Sequence, residues 1–311
     1  MSVRSRSWRG PAGRALAAAT AVLLAAGCTS LPSAGPFVDA TRQYRSTLAT
    51  GGVALEQQLA EAGSTDSAQR FAREWEARVR AADALVAYSK SIAAVADSGA
   101  RGAESAQRVA DSAQSLAGAV GLSLPAAAAS TAVDTGTFVY AQIAATRAAR
   151  SLGDALAQAQ PAVERIATIM AADLSDAEAI LRAAVKLKET ELARTYNAEM
   201  AYYASLLEER TAIYRKPRRT TADESRLLEI EQLLQATQSW RQPMRAEADA
   251  LEQRLRAGRQ LIGASRQALA EWTVAHADLA AAVQTGRSVD PAGLVAATEQ
   301  MRDLIGRIQA L

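Results

Sequence analysis

Apolar residues recur every three or four positions along most of the chain, which is the spacing of one face of an α-helix. The clearest case covers about residues 67–97. Runs with the strict alternation of a β-strand are missing, and alanine is abundant. The pattern therefore predicts an all-α protein. The apolar stripe of that clearest helix consists of Phe71, Trp75, Val79, Ala82, Leu85, Tyr88 or Ser89, Ile92 and Ala96.

Breaks in the apolar pattern divide the rest of the first half of the chain into helices. A first helix is predicted at about 37–61, with Gly51-Gly52 as a candidate interruption. Alanine-rich helices follow at about 102–120 and 127–159. Pro161 either kinks the second of these or begins a new segment in its first turn.

Two long helices are predicted in the second half. Ser175-Asp176-Ala177-Glu178 has capping-box spacing, so we expect a helix from there to about Tyr214, roughly 60 Å at 1.5 Å per residue. Thr221 and Glu224 repeat this spacing and begin the next helix. Long helices joined by a short proline turn are most simply antiparallel neighbours. We therefore expect residues 37–311 to form a single elongated antiparallel helical bundle with a long coiled-coil-like hairpin.

The first 27 residues have a different composition from the rest. A short apolar run, Ala15–Ala26, follows an N-terminal region with four arginines and no acidic residue. This arrangement is typical of an export signal, and the run is too short to span a bilayer well. Ala25-Ala26-Gly27 has the small-residue form that ordinary signal cleavage requires, so release of a soluble protein is one outcome. The arginines are Arg4, Arg6, Arg9 and Arg14.

Ala25-Ala26-Gly27-Cys28, with Leu23 and Leu24 upstream, resembles the lipobox of bacterial lipoprotein precursors, although Ala25 stands where that family favours leucine. The resemblance covers about the first 30 residues. It implies cleavage after residue 27, diacylation of the Cys28 sulfur and usually acylation of the new amino terminus. Two or more acyl chains hold a protein stably on a membrane. The alternative is that Cys28 remains a plain thiol in an N-terminal tail.

The family's sorting rule also bears on location. Position 29 is not aspartate, which by that rule implies the outer membrane, facing the periplasm, if the source has one. Residues 28–36 are then the lipidated cysteine and a flexible tether rich in proline, serine and glycine.

The charge of the chain gives no indication of nucleic-acid binding. The full sequence has 35 basic and 33 acidic residues. Removing the four arginines of the signal leaves 31 basic against 33 acidic residues, a net charge near −2. The partners that we expect are therefore the membrane, through the acyl chains, and an unidentified protein of the envelope, with no nucleic acid.

Candidate chemistry is scarce. His276 is the only histidine and Cys28 the only cysteine, so neither a His-based nucleophilic site nor a zinc site has enough members. Glu208-Glu209 and Glu229/Glu231 are candidate carboxylate pairs by proximity, but residues one or two apart on a helix point in different directions. We expect a non-enzymatic protein with no cofactor or metal, with His276 bordering the packed face. An envelope hydrolase is the least favoured class.

Two groups of side chains remain as surface candidates. The first is basic, lies in the hairpin turn and could contact anionic lipid headgroups or an acidic partner. Its alternative role is to complement the dipole of the preceding helix. The second is aromatic: Tyr196, Tyr203 and Tyr214 are expected to pack in the core, and Tyr202 is a candidate for a partner-facing patch. The basic group consists of Arg215, Lys216, Arg218 and Arg219.

These observations favour a lipid-anchored, non-enzymatic scaffold or adaptor of the cell envelope. The alternative is a carrier that binds an apolar small molecule within the bundle. In that case alanine-lined interfaces would part, and Met170, Met200 and Met244 would adapt to the guest.

Overall fold

The computed structural model describes residues 32–63, 65–98, 102–123 and 132–311. Within these ranges all regular secondary structure is helical, which confirms the all-α class. The predicted signal, Cys28 and the start of the tether lie outside the described residues. The helices are α1 (Gly35–Glu61), α2 (Thr65–Asp97), α3 (Ala103–Ser123), α4 (Ala132–Arg147), α5 (Leu152–Tyr214), α6 (Thr221–Thr285) and α7 (Ala292–Gln309).

Neighbouring long helices run antiparallel. Between α5 and α6, Gln160 Nε2 donates to the Thr273 carbonyl near one end, and Arg226 binds Glu209 near the other. Residue numbers therefore rise along one helix as they fall along its neighbour. The antiparallel hairpin predicted from the short proline turn is present.

One large apolar core draws residues from all seven described helices. The predicted stripe of α2 is buried in it, except that Val79 is only partly covered. Much of this core is alanine, whose small side chain lets helix axes approach closely. At 63 and 65 residues, α5 and α6 are each more than 90 Å long at about 1.5 Å per residue.

Gly51 and Gly52 do not interrupt α1, contrary to the prediction. The helix is continuous through them, and both are buried against other helices. A Cβ placed on Gly52 would overlap the Trp75 indole of α2, and one on Gly51 would lie 3.1 Å from Leu261 Cδ2 of α6. The two glycines are explained by close helix packing, which outweighs their lower helix propensity.

Replacing Gly52 by alanine should lower the free energy of unfolding by about 1–3 kcal/mol, the usual cost of overpacking. The added methyl group must displace Trp75, whose Nε1 donates to the Leu48 carbonyl at 2.9 Å. Denaturant unfolding followed by circular dichroism measures the change. The matched control is Gly263→Ala in α6, where a Cβ meets open space in the described structure. It should stabilise the protein by about 0.5–1 kcal/mol, and equal destabilisation by both substitutions would contradict the packing explanation.

Two predicted boundaries were wrong. The helix expected at 127–159 ends at Arg147, and Ser151 begins α5 by accepting the Asp154 N–H at 3.1 Å. Ser175 starts no helix, because α5 is already helical there and its hydroxyl donates to the Ala171 carbonyl at 3.2 Å. Of the two alternatives for Pro161, the start of a new segment is excluded, because Pro161 lies inside the same continuous helix. A capping-box spacing acts as a start only where free backbone N–H groups exist.

The beginnings of α6 and α1 also differ slightly from the prediction. Thr220, one residue earlier than expected, caps α6: its hydroxyl accepts the Asp223 N–H at 3.2 Å, and its own N–H donates to Asp223 Oδ2 at 2.8 Å. Helix α1 begins at Gly35 with Pro36 in its first turn. The last residues assigned to the tether are therefore already helical.

Candidate functional site

The α5–α6 hairpin extends beyond the core of the protein. The main core ends at Ala184 on α5 and begins again at Leu261 on α6. A small separate cluster that includes Val185 and Leu251 lies next to it along these two helices. We call residues 186–250 the arm and the other described residues the body. Toward its end the arm has a separate apolar cluster, the tip cluster, made only of residues from α5 and α6. The tip cluster consists of Leu206, Ile213, Leu227, Ile230 and Leu234.

Ion pairs between the two helices hold the arm together around the tip cluster. Arg226 donates two hydrogen bonds to Glu209, at 2.7 and 2.8 Å, and Arg210 lies 3.2 Å from Glu231. Arg226 also binds Glu229 at 2.7 Å, and its guanidinium lowers the pKa of Glu209. Three of the four carboxylates named as candidate pairs, Glu209, Glu229 and Glu231, are therefore engaged by arginines.

The basic hairpin turn is partly neutralised by the first turn of α6. Lys216 Nζ lies 2.6 Å from Asp223 Oδ1, and Arg219 Nε lies 2.9 Å from Glu224 Oε1. The hydrogen bond from Lys216, with those from Thr220, lowers the pKa of Asp223 to about 2. Arg215 and Arg218 are exposed and form no ion pair within the described ranges. Two of the four cations thus remain available to an external anion.

Between the tip cluster and the body, the arm has a weakly packed section that we call the waist. Every residue of α5 from 186 to 205 is exposed or half-buried, and so is every described side chain of α6 from 238 to 250. Tyr196 packs edge-to-face on Trp240 with ring centroids 6.0 Å apart, and the Arg241 guanidinium lies 5.7 Å from the Tyr203 ring centroid.

None of the tyrosines of α5 is fully buried, although Tyr203 packs against the tip cluster as expected. Tyr196 and Tyr203 are half-buried, while Tyr202 and Tyr214 are exposed. The expectation that Tyr214 packs in the core was wrong, although Arg219 covers one face of its ring at 5.4 Å from the centroid. The sequence shows helical spacing but not how many helices surround each face, and two helices alone bury only a narrow strip.

A groove of about 210 Å³ opens on the waist. Leu192 and Tyr196 of α5 and Met244 and Ala248 of α6 form its apolar walls, with Arg245 at one edge. The neighbouring guanidinium groups of Arg241 and Arg245 lower the pKa of the Tyr196 hydroxyl. We call this feature the waist groove.

The body contains a buried ion pair that sequence patterns did not indicate. Arg78 and Asp173 are 3% and 1% exposed, and Arg78 Nε lies 2.7 Å from Asp173 Oδ2. Arg78 Nη2 also donates to the Asp173 carbonyl at 2.9 Å. Burial lowers the pKa of Arg78 and raises that of Asp173, so the cost of desolvation outweighs the attraction between the two groups.

The surroundings of this pair leave polar atoms unsatisfied. Tyr44 Oη, Arg78 Nη1 and Asp173 Oδ1 have no hydrogen-bond partner among the described residues. They border a cavity of only about 10 Å³, which Met170 also lines. This space is far smaller than the roughly 300 Å³ or more of a typical ligand pocket, so it gives no support to a carrier site beside Met170.

His276 lies inside the body. The expectation that it borders the packed face was wrong. Its ring is fully buried, with Nε2 2.7 Å from Tyr88 Oη and Nδ1 2.6 Å from Gln160 Oε1. Phe37, Tyr88 and Trp272 surround it with aromatic contacts. Burial lowers the pKa of His276 to about 4. The ring is closed off from solvent and has the environment of a structural residue.

The first described residues and the hairpin turn lie at opposite ends of the α5–α6 hairpin. Phe37, near the start of α1, stacks on Trp272 with ring centroids 5.8 Å apart. From Trp272 to the start of α6 at Thr221, the helix is about 75 Å long at 1.5 Å per residue. A molecule attached through residues before 34 would therefore carry its basic turn far from the attachment point.

Comparison with known proteins gives no relative: no family model, no curated protein and no solved structure matches this chain. Within the described residues, no group of three or more His, Cys, Asp or Glu side chains is arranged to hold a metal ion. None of the described helices combines the length and the apolar composition that crossing a membrane requires.

Proposed function

We propose that this protein is a lipid-anchored, non-enzymatic scaffold or adaptor of the cell envelope. In this proposal Cys28 attaches the chain to the membrane, the body is the rigid base, and the arm carries the surface that binds a protein partner. The observation on which the proposal rests is the arm itself, a two-helix extension with a narrow core and several half-buried or exposed aromatic side chains.

The composition of the arm supports a role in binding. Tyrosine, tryptophan and arginine are enriched at protein interfaces and at their energetic hot spots. The arm presents Tyr196, Tyr203, Trp240 and Arg241 on its waist. Leu228 near the tip is 66% exposed. A partner that covered these groups would bury apolar surface that the hairpin alone leaves in contact with water.

The geometry of the ends also supports an adaptor. The start of α1 packs near Trp272, and the hairpin turn is about 75 Å further along α6. With the anchor at Cys28, the arm would reach away from its own membrane toward a partner. Arg215 and Arg218 at the turn would then lie far from the lipid around the anchor and would contact an acidic surface on that partner.

The test is site-specific photo-cross-linking in cells of the native organism. A photoreactive residue placed at Tyr202 or Leu228 on the arm should capture the same partner protein. Val274, 59% exposed on the body, is the matched control position and should not capture it. Cys28→Ala should abolish incorporation of labelled acyl chains and strongly reduce the cross-link from the arm.

The adaptor proposal would be refuted if both arm positions gave only the protein without a cross-linked partner. It would also be refuted if Val274 captured the same protein equally well. If the Cys28→Ala variant still incorporated labelled acyl chains, Cys28 would not be the anchor. The role of the arm would still be tested by the cross-linking experiment. The two halves of the proposal are therefore judged separately.

A further inference from the structure

We propose that the waist groove binds an amphiphilic anion, with an acyl chain between α5 and α6 and its acidic headgroup on Arg241 and Arg245. The ligand class is a medium-length acyl chain that ends in a carboxylate or phosphate. This proposal does not depend on the anchor at Cys28, and it shares Tyr196 and Arg241 with the surface proposed to bind a partner.

The groove has the shape and lining for the apolar part of such a ligand. Its volume of about 210 Å³ is below the roughly 300 Å³ of a typical ligand pocket, so a ten-carbon chain occupies it only as the groove widens. Leu192, Tyr196, Met244 and Ala248 present mostly apolar atoms to it. Met244 is unbranched and flexible, so this wall adjusts readily to a guest.

The charges at the groove favour an anion. Arg241 and Arg245 are four residues apart on α6 and therefore lie on the same face of the helix. Arg245 lines the groove, and Arg241 follows Trp240, whose ring packs on Tyr196 in the groove wall. Neither arginine forms an ion pair with a carboxylate in the described part of the chain. Like charges at this spacing on a helix repel each other, and a carboxylate or phosphate between them would satisfy both.

Some arginines of the arm are neutralised by acidic partners, whereas Arg241 and Arg245, like Arg215 and Arg218 at the turn, are not. Arg210, Arg219 and Arg226 each have an acidic partner. The acidic residue that lines the waist groove is Glu189, which is paired with Lys186 at 3.3 Å. The pair Arg241 and Arg245 is thus left with excess positive charge at the edge of an apolar groove.

The backbone at the groove is also suited to opening. Pro243 lies inside α6 between the two arginines, and proline removes one backbone hydrogen bond from a helix interior. Because the neighbouring side chains of the waist are exposed or half-buried, separating α5 from α6 here disrupts little packing. Widening of the groove around a chain therefore leaves the tip cluster and the body intact.

The experiment uses the full chain with Cys28→Ala, so that no attached acyl group competes for the groove and no detergent is needed. Binding of decanoate is measured by equilibrium dialysis below its micellar concentration. Decyltrimethylammonium, with the same chain and the opposite charge, and acetate, with the headgroup alone, are the comparison probes. We expect one decanoate per chain, and binding at least ten-fold weaker for both comparison probes.

Substitutions in the waist groove test whether decanoate binds there. The double variant Arg241→Gln/Arg245→Gln should weaken decanoate binding at least ten-fold, and Ala248→Phe, which fills the groove, should do the same. The matched control is Arg302→Gln/Arg307→Gln on α7, which removes two exposed arginines of the body and should leave binding unchanged. Circular dichroism checks that each variant remains folded.

Several results would overturn the proposal. These are the absence of saturable decanoate binding, equal binding of the cationic amphiphile, and unchanged binding in the Arg241→Gln/Arg245→Gln variant. Equal loss of binding in the α7 control would show a general charge effect and would also refute the assigned site.

Discussion

Replacing Arg78 by methionine is expected to lower the free energy of unfolding by about 3–5 kcal/mol. Methionine preserves much of the apolar stem but leaves the Asp173 carboxylate buried without its cation. The remaining charge then has neither water nor an opposite charge to stabilise it. Denaturant unfolding monitored by circular dichroism measures the loss, which should be among the largest for any single substitution in the body.

The double variant Arg78→Met/Asp173→Leu shows whether this loss comes from the unpaired charge or from altered packing at the site. Burial already shifts the pKa of each partner against its charged form, so removing both charges together should cost little or even stabilise the fold. A double variant as unstable as Arg78→Met would contradict this explanation. A single variant that loses less than about 1 kcal/mol would show that water reaches the site.

The second large effect is a dependence of stability on pH through His276. Its pKa falls from 6.5 in the unfolded chain to about 4 in the folded protein. Between these values the unfolded state binds the proton more readily. The contribution of His276 is therefore complete above pH 6.5 and is lost as the pH falls to about 4. The loss should amount to about 3 kcal/mol, at 1.36 kcal/mol per pKa unit.

His276→Gln is the control, because glutamine cannot titrate and still offers polar atoms to Tyr88 and Gln160. The free energy of unfolding of both proteins is measured from pH 7 to pH 4. Carboxylates titrate in both proteins, so only the difference between the two curves reports on His276. Parallel curves would mean that the imidazole is not held neutral in the core.

Much of the helical structure could be predicted from the sequence because it depends on local spacing. The stripe of α2 follows helical periodicity, and the structure buries it nearly as expected. The end of α5 at Tyr214 was also predicted, because the proline turn that follows it is a local signal. Errors arose where a local signal had two meanings, as with Gly51-Gly52 and Ser175.

The candidate site was less predictable. Tyr196, Tyr203 and Met244 were noticed in the sequence, but helical spacing made the tyrosines appear to be core residues. The tyrosines are partly exposed because no third helix packs along the described arm. Helix α1 ends at Glu61, at the base of the arm, and the sequence does not show this. Arg241 and Arg245 carried no signal of their own, because an arginine with an acidic partner and one without look the same in a sequence.

The sequence by itself determined the all-α class, the long hairpin and the scarcity of catalytic groups, since these depend on periodicity, turn chemistry and residue counts. Only the tertiary structure decided that Arg78 and His276 are buried and that the waist is open. Burial is a property of what surrounds a residue, and here those surroundings come from distant segments: Asp173 for Arg78, and Phe37, Tyr88 and Gln160 for His276. Local spacing can place a side chain on a face of its helix, but it cannot specify what that face meets.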